Sequence, residues 1–322
     1  MKKFLGATLV VLAMGVGLIG AEPAAPPKST PQVLTVEQKK LPDNVPQHLQ
    51  DISVTIKAGR AEGSGVITNV NGTNYVLTCG HVVAHLRKTR TVVSNEGSPK
   101  LVVEFDDAEI VKELVEDGRT VGELRFAAEV LRYSDAEHGE DLAVLRVRKK
   151  NLSPHRVHFY LDKDKDGKLK IPTIGTDLYH VGSLLGQSGS NSMTTGIYSQ
   201  VGRLYNGTIY DQTTCAAFPG SSGGGVYLKD GRYVGQIVRG AGETFNLIVP
   251  MRRLHSWATK VGVDFILDPT VPVPDNDTLR SKPIESAPKG GSNPAAEAAR
   301  RDEKSNYKFM IRLAEPTVQA EK

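Results

Sequence analysis

The sequence predicts an all-β protein of antiparallel strands, arranged as a barrel or a sandwich. Three observations carry this. Short alternating or continuous apolar runs recur between residues 48 and 250. Turn signals, Asn71-Gly72 and Asp230-Gly231 above all, separate several of them. Almost no helical segment stands between successive strands, so the crossovers of a parallel sheet are missing.

Taken in order, the chain opens with "MKK" and the apolar run "FLGATLVVLAMGVGLIGA". A short cationic start before a run rich in small residues is the layout of a secretory signal, here residues 1–21 with cleavage after Ala21. The expected mature protein is exported, periplasmic or secreted, and has no stable membrane span once the signal is removed. Residues 22–47, with "EPAAPPKSTPQ", are expected to form a Pro-rich linker. Strands are expected at "ISVTIKA" and on both sides of Asn71-Gly72, then at "KLVVEF", "FAAEVLRY", "LAVLRV" and "RVHFYL". Further strands follow at "DLYHVGS", "TGIYSQVGRLY", "GTIYDQT", on both sides of Asp230-Gly231, and at "TFNLIVP". Two helices interrupt the pattern. Residues 107–118 suggest a surface helix with Asp107 as cap and Gly118 as stop. "PMRRLHSWATKVG" puts Leu254, Trp257, Ala258 and Val261 on one face, a helix docked on the body. The folded domain is expected over 48–267, and the Pro- and Ser-rich tail, 268–322, to be largely disordered with a short helix after Asn293.

Composition narrows the function. A net charge of +4 without a Lys/Arg block argues against a nucleic-acid binder. Cys79 and Cys215 sit in neither CxxC nor Cys/His zinc spacing, and whether they pair is open. "DKDKDGKL" (162–169) carries carboxylates at calcium-loop spacing, but Thr173 stands where a bidentate Glu belongs, so a solvated hairpin turn is expected. No metal and no cofactor is called for.

The chemistry centres on "AAFPGSSGGGV" (216–226). "GSSGG" fits G-x-S-x-G around Ser222, the elbow of hydrolases built on a parallel sheet. That reading fails, because acid and histidine must then follow the serine and only His255, with Asp230 or Glu243, is available. The order His, Asp, Ser works instead: His81 after "YVLTCG", Asp141 heading "LAVLRV", and Ser222 in its glycine turn. His85, Asp135 and Glu140 are rivals, but only Asp141 directly heads an apolar strand.

The local contexts resemble the HtrA/Deg branch of the trypsin-like serine proteases. "GSGVITNVNGTNYVLTCGHVV" is similar to the strand pair before its histidine, and "DLAVLRV" to its aspartate strand. "VGSLLGQSGSNSMTTGIYSQVGR", "TTCAAFPGSSGGGVY" and "GRYVGQIV…FNLIVP" resemble the later segments in the same order. The resemblance implies two six-stranded antiparallel β-barrels, the chymotrypsin-like fold, with the C-terminal helix docked on them. It implies Ser222 as nucleophile, His81 as base, Asp141 as its partner, and the N–H groups of Gly220 and Ser222 as oxyanion hole. It places the primary specificity pocket near Ala216, with Phe218 and Ile237 beside it. None is acidic, so cleavage of protein or peptide substrates after small or aliphatic residues is expected. Two departures matter: Ser221 replaces the usual Asn or Asp, and the tail has no room for a PDZ domain. The alternative is a non-hydrolytic protease-fold binding or chaperone-like module of the cell envelope. The oligomeric state is left open.

Overall fold

The computed structural model describes residues 41–286 apart from 94–96, 98, 117, 241 and 242. The signal, linker residues 22–40 and the tail beyond 286 lie outside the described residues.

A short helix, α1 (Val45–Asp51), leads into β1 (Ser53–Ala58), β2 (Ala61–Val70) and β3 (Thr73–Thr78). A one-turn helix, α2 (Gly80–Val83), follows, then the hairpin of β4 (Arg87–Val93) and β5 (Pro99–Phe105). Next come β6 (Ala108–Glu116), β7 (Arg119–Ser134) and β8 (Leu142–Val147). The second half holds β9 (Asp177–Gly182), β10 (Ser192–Tyr205), β11 (Thr208–Thr213), β12 (Gly225–Leu228), β13 (Tyr233–Gly240) and β14 (Asn246–Pro250). Helices α3 (Met251–Val261) and α4 (Asn276–Ser281) end it.

Two closed six-stranded antiparallel barrels result, in the order β1-β2-β3-β8-β7-β6 and β10-β11-β14-β13-β12-β9, with β4-β5 as a separate ribbon. Closure follows from the pattern: each strand buries one face, and closing the sheet leaves no edge unpaired. Ile56, Val66, Val76, Ile110 and Leu145 fill the first interior; Tyr198, Val226, Ile237 and Ile248 fill the second. At the tip of β2–β3, Asn71 and Gly72 both take positive φ (50° and 79°), the twist a two-residue hairpin needs. Helix α3 buries Leu254, Trp257, Ala258 and Val261, as its periodicity predicts.

Residues 107–118 are not a helix. They form β6, paired with β7 from Ala108↔Ala128 to Glu116↔Arg119 and with β1 at Ile56↔Ile110. The barrel leaves a strand position open between β1 and β7, and filling it satisfies two rows of backbone groups that a helix would leave unpaired. Ile110 and Val111 suit that pleat, and Gly118, at φ +75°, makes the hairpin turn instead of a helix stop. "RVHFYL" was expected as a strand but makes only an isolated bridge, Phe159 to Tyr233. Residues 269–286, expected as part of a disordered tail, pack on the first barrel: Leu279 is buried, and Ser286 N–H donates to the Tyr133 carbonyl.

The barrels meet at a polar seam. Thr55 Oγ1 and Ser183 Oγ lie 2.5 Å apart across it. The Ser64 hydroxyl donates to the Gly220 carbonyl at 2.7 Å.

Candidate active site

Strand β3 ends at Thr78, and the chain turns at Cys79-Gly80 to present His81 on α2. Gly80 is required for this close approach, because a methyl group there would overlap the Ser134 carbonyl oxygen at the end of β7. Asp141 lies just before β8 in the left-handed region, at φ +54°. Aspartate is among the few non-glycine residues that tolerate this conformation. It aims a fully buried carboxylate at the start of α2.

There Asp141 Oδ1 accepts the His81 backbone N–H at 2.9 Å, and both carboxylate oxygens lie 3.0 Å from His81 Nδ1. Backbone and ring are held by one group, which fixes the imidazole orientation and points Nε2 away from the acid. Burial opposes the Asp141 charge. The hydrogen bonds from the His81 ring and backbone, with Arg239, outweigh it and hold the carboxyl below the ordinary aspartate range. Arg239 reaches to 3.8 Å from Asp141 Oδ2, so its half-exposed side chain leans toward the site. The rivals are engaged elsewhere: Asp135 accepts the N–H groups of Glu137 and His138, Glu140 pairs with Arg253, and His85 is exposed.

The serine turn packs against the same strand ends. Ser222 carbonyl accepts the Ser64 N–H at 2.8 Å. A methyl group on Gly223, at φ +87°, would overlap the Ser64 carbonyl and the Thr78 hydroxyl, three residues before His81. Among the described residues, the Ser222 hydroxyl and the N–H groups of Gly220 and Ser222 donate to no protein group. Ser221 is buried; its hydroxyl accepts the Phe218 N–H at 3.1 Å, so a neutral side chain ties the turn. Leu185 N–H donates to the Pro219 carbonyl at 2.8 Å. A trans peptide opposes its C=O and N–H, so this contact turns the Gly220 N–H away from Leu185. Gly220 sits at φ +95°, and a side chain there would strike Ser183 and Gly186. Sequence reading missed Ser64 and Leu185. The "GSG" of residues 63–65 is a signal for the first; the second acts through its backbone and leaves none.

Of the predicted pocket residues, Ala216 is half-buried, Phe218 is exposed, and Ile237 lies in the core of the second barrel. Ile237 meets the serine turn through its backbone, accepting from Gly223 N–H and donating to the Gly224 carbonyl.

Cys79 and Cys215 are buried free thiols. Burial, with the Asp141 charge, pushes the Cys79 thiol well up. Cys79, His81 and Asp141 place possible metal donors within 4.8 Å of one another. His81 Nδ1, the ring nitrogen facing this group, is already used by Asp141, and burial disfavours the thiolate a metal would need. In the 162–169 turn, Asp164 accepts the backbone N–H groups of Asp166 and Lys168, and Asp162 pairs with Arg232, as in an ordinary hairpin turn.

Two closed antiparallel barrels with a buried acid on a histidine and a glycine-flanked serine turn define a chymotrypsin-like serine endopeptidase. The profile of the trypsin-like peptidase domain matches residues 63–235, more than half of the chain, and the chain belongs to that family. Similar solved structures include the inactive form of Rv3671c from M. tuberculosis H37Rv, 17% identical over 69% of this chain and 92% of that one, with a TM-score of 0.47. The serine endoprotease from Yersinia pestis is 21% identical over 70% of this chain and 68% of that one (TM-score 0.46). The HtrA-type protease AlgW with tripeptide is 22% identical over 69% of this chain (TM-score 0.46). The match spans 63% of the AlgW chain, less than two thirds of it. No curated protein matches the chain.

Proposed function

We propose that this serine endopeptidase is exported and works through Ser222, His81 and Asp141. Ser222 Oγ attacks the scissile carbonyl carbon while His81 Nε2 takes its proton. The tetrahedral oxyanion is met by the N–H groups of Gly220 and Ser222. Collapse expels the amine, protonated by His81, and leaves an acyl-enzyme. A water then attacks the ester, His81 again moving the proton, and Ser222 is regenerated. Asp141 holds the imidazole with Nδ1–H toward itself and stabilises the charged ring. Each oxyanion donor is worth about 10²–10³ in rate.

The observation that carries this reading is the double grip of the buried Asp141 on His81, backbone and ring together. A protein that only bound peptides would not need a buried carboxylate held in a left-handed conformation for that purpose.

The test is fluorophosphonate labelling followed by peptide mapping. The label should fall on Ser222, vanish in Ser222→Ala and fall strongly in His81→Ala, with turnover losses on the order of 10⁶ for either. Label on Ser221, or none on the folded protein, overturns the reading and leaves a binding module.

For specificity we propose cleavage after small or aliphatic residues. Ala216 and the buried Ile237 offer no acid to a cationic side chain, and Arg239 adds a positive charge to the site. A peptide library should therefore return Ala, Val, Ile or Leu before the cut. Dominance of Lys or Arg would refute it. Export rests on the N-terminal "MKK" and apolar run; N-terminal sequencing of the secreted fraction should find the chain starting at Glu22.

A further inference from the structure

The oxyanion donor at Gly220 depends on which way the Pro219–Gly220 peptide faces, and that peptide is held through Leu185 N–H. What holds Leu185 is therefore the question. It takes φ +64° and Gly186 follows at +73°, two successive left-handed residues, the first of them a leucine. A leucine does not settle there by its own preference. Nor does its side chain anchor it, being 68% exposed. The turn must be shaped by its flanks.

On one flank, buried Ser183 is fixed by the Ser64 and Thr55 hydroxyls at the barrel seam. The other flank rests on carboxylates. Gln187 backbone N–H donates to Glu62 Oε2 at 3.2 Å, and the same carboxylate lies against Gly186, where a side chain would displace it. Gln187 Nε2 donates to both Glu123 oxygens, at 2.9 and 2.7 Å. Ser190 Oγ donates to Glu113.

All three acids belong to the first barrel, whereas the turn belongs to the second. Glu113 and Glu123 also face each other directly across β6 and β7. Like charges opposite each other on a hairpin repel, so the pair costs the sheet some stability, which Thr120 Oγ1 eases by donating to Glu113. Arg125 offsets part of this by pairing with Glu123. The donors from Gln187 and Ser190 give both carboxylates a use on the neighbouring barrel.

We propose that the far end of the β6–β7 hairpin is a prop for the oxyanion hole, with Glu123 and Glu62 as positioning residues. They act through Gln187 and Leu185 on the Pro219–Gly220 peptide. The inference rests on the serine-protease reading above and adds to it where the hole's geometry comes from.

The test compares the wild-type protein with Glu123→Ala, Glu123→Gln and Glu62→Ala, measuring kcat and KM on a peptide substrate and amide hydrogen exchange at Leu185. In Glu123→Ala, kcat should fall tenfold or more with KM within twofold, and Leu185 exchange should accelerate, as its amide loses the Pro219 acceptor. Glu62→Ala should behave alike. Glu123→Gln keeps an acceptor for Gln187 and should stay near wild type in both readouts. A kcat within twofold of wild type in both alanine variants overturns the proposal, as does a fall in kcat with Leu185 exchange unchanged. If the wild-type protein neither labels nor turns over, the protease reading has failed, and Leu185 exchange in the variants alone decides whether the prop exists.

Discussion

At the residue scale the site depends as much on missing side chains as on present ones. Gly80 lets α2 start against the end of β7, which is what brings His81 within reach of Asp141. Gly80→Ala should therefore push α2 away from Asp141. We expect turnover to fall by about 10²-fold or more, with a stability loss of about 1–3 kcal/mol, as for a forced overpacking. Turnover and a denaturant midpoint read both; wild-type activity in the variant would show that the approach is looser than the backbone implies. The candidate histidine and its buried acid stood out in the sequence because each sits in a distinctive local string, as does the proposed serine. The roles of Ser64 and Leu185 were not read, since each depends on a partner outside its own stretch, the Ser64 hydroxyl reaching groups more than a hundred residues away and Leu185 acting through its backbone N–H. Ile237 was legible as a neighbour of the serine turn, but its side chain turned out to serve the core.

At the scale of elements, most strands were legible from alternation, and the exceptions share a cause. Residues 108–116 carry apolar groups that suit either a helix face or a two-sided strand, and only the gap between β1 and β7 decides between them. Residues 269–286 are polar and proline-containing, yet they are drawn onto the barrel by Arg132. This buried guanidinium has no carboxylate partner in the described structure; it donates to the carbonyls of Val261, Leu131 and Leu279. It thereby ties the C-terminal end of α3 and the α4 segment to β7. Burial lowers its pKa from the usual arginine range, yet the three carbonyls compensate the charge in place. Arg132→Met should leave those buried acceptors without a donor, at about 1–3 kcal/mol for each one that water cannot reach. A loss of roughly 3 kcal/mol in urea unfolding is expected, and deletion of residues 269–286 should give a loss of similar size. Unchanged midpoints would mean that the segment merely lies on the surface.

At the scale of the whole molecule, buried histidines set the pH response. Burial pushes His180 down to about 4, against the raising effect of its bond to the Gly225 carbonyl. His48 is also lowered to about 4 by burial and by its neighbours His155 and His158, and burial lowers His158 as well. Each folded-state pKa lies below the ordinary histidine value, so the unfolded chain binds more protons as pH falls. Stability is fully present above about pH 6.5 and declines from there toward pH 4. Unfolding at pH 5 should take up about two protons from His48 and His180 together. Thermal melts from pH 8 to 4.5 should be level at first and drop below pH 6.5; melts that stay level to pH 5 would contradict the burial. Asp141 acts at the other end of the scale, since its lowered pKa costs stability only in stronger acid.

The seam also has a consequence in time. The acid–histidine contact spans 60 residues of chain, but the contact that fixes the serine turn, Ser64 to Gly220, spans 156 and joins the two barrels. Chains are synthesised at about 5–20 residues per second, so roughly 8–30 seconds separate the emergence of the two halves of that contact. During this interval the first barrel holds the proposed base and acid without the proposed nucleophile. With the proposed triad divided in this way, the peptidase is expected to stay silent until almost the whole of its domain has been made.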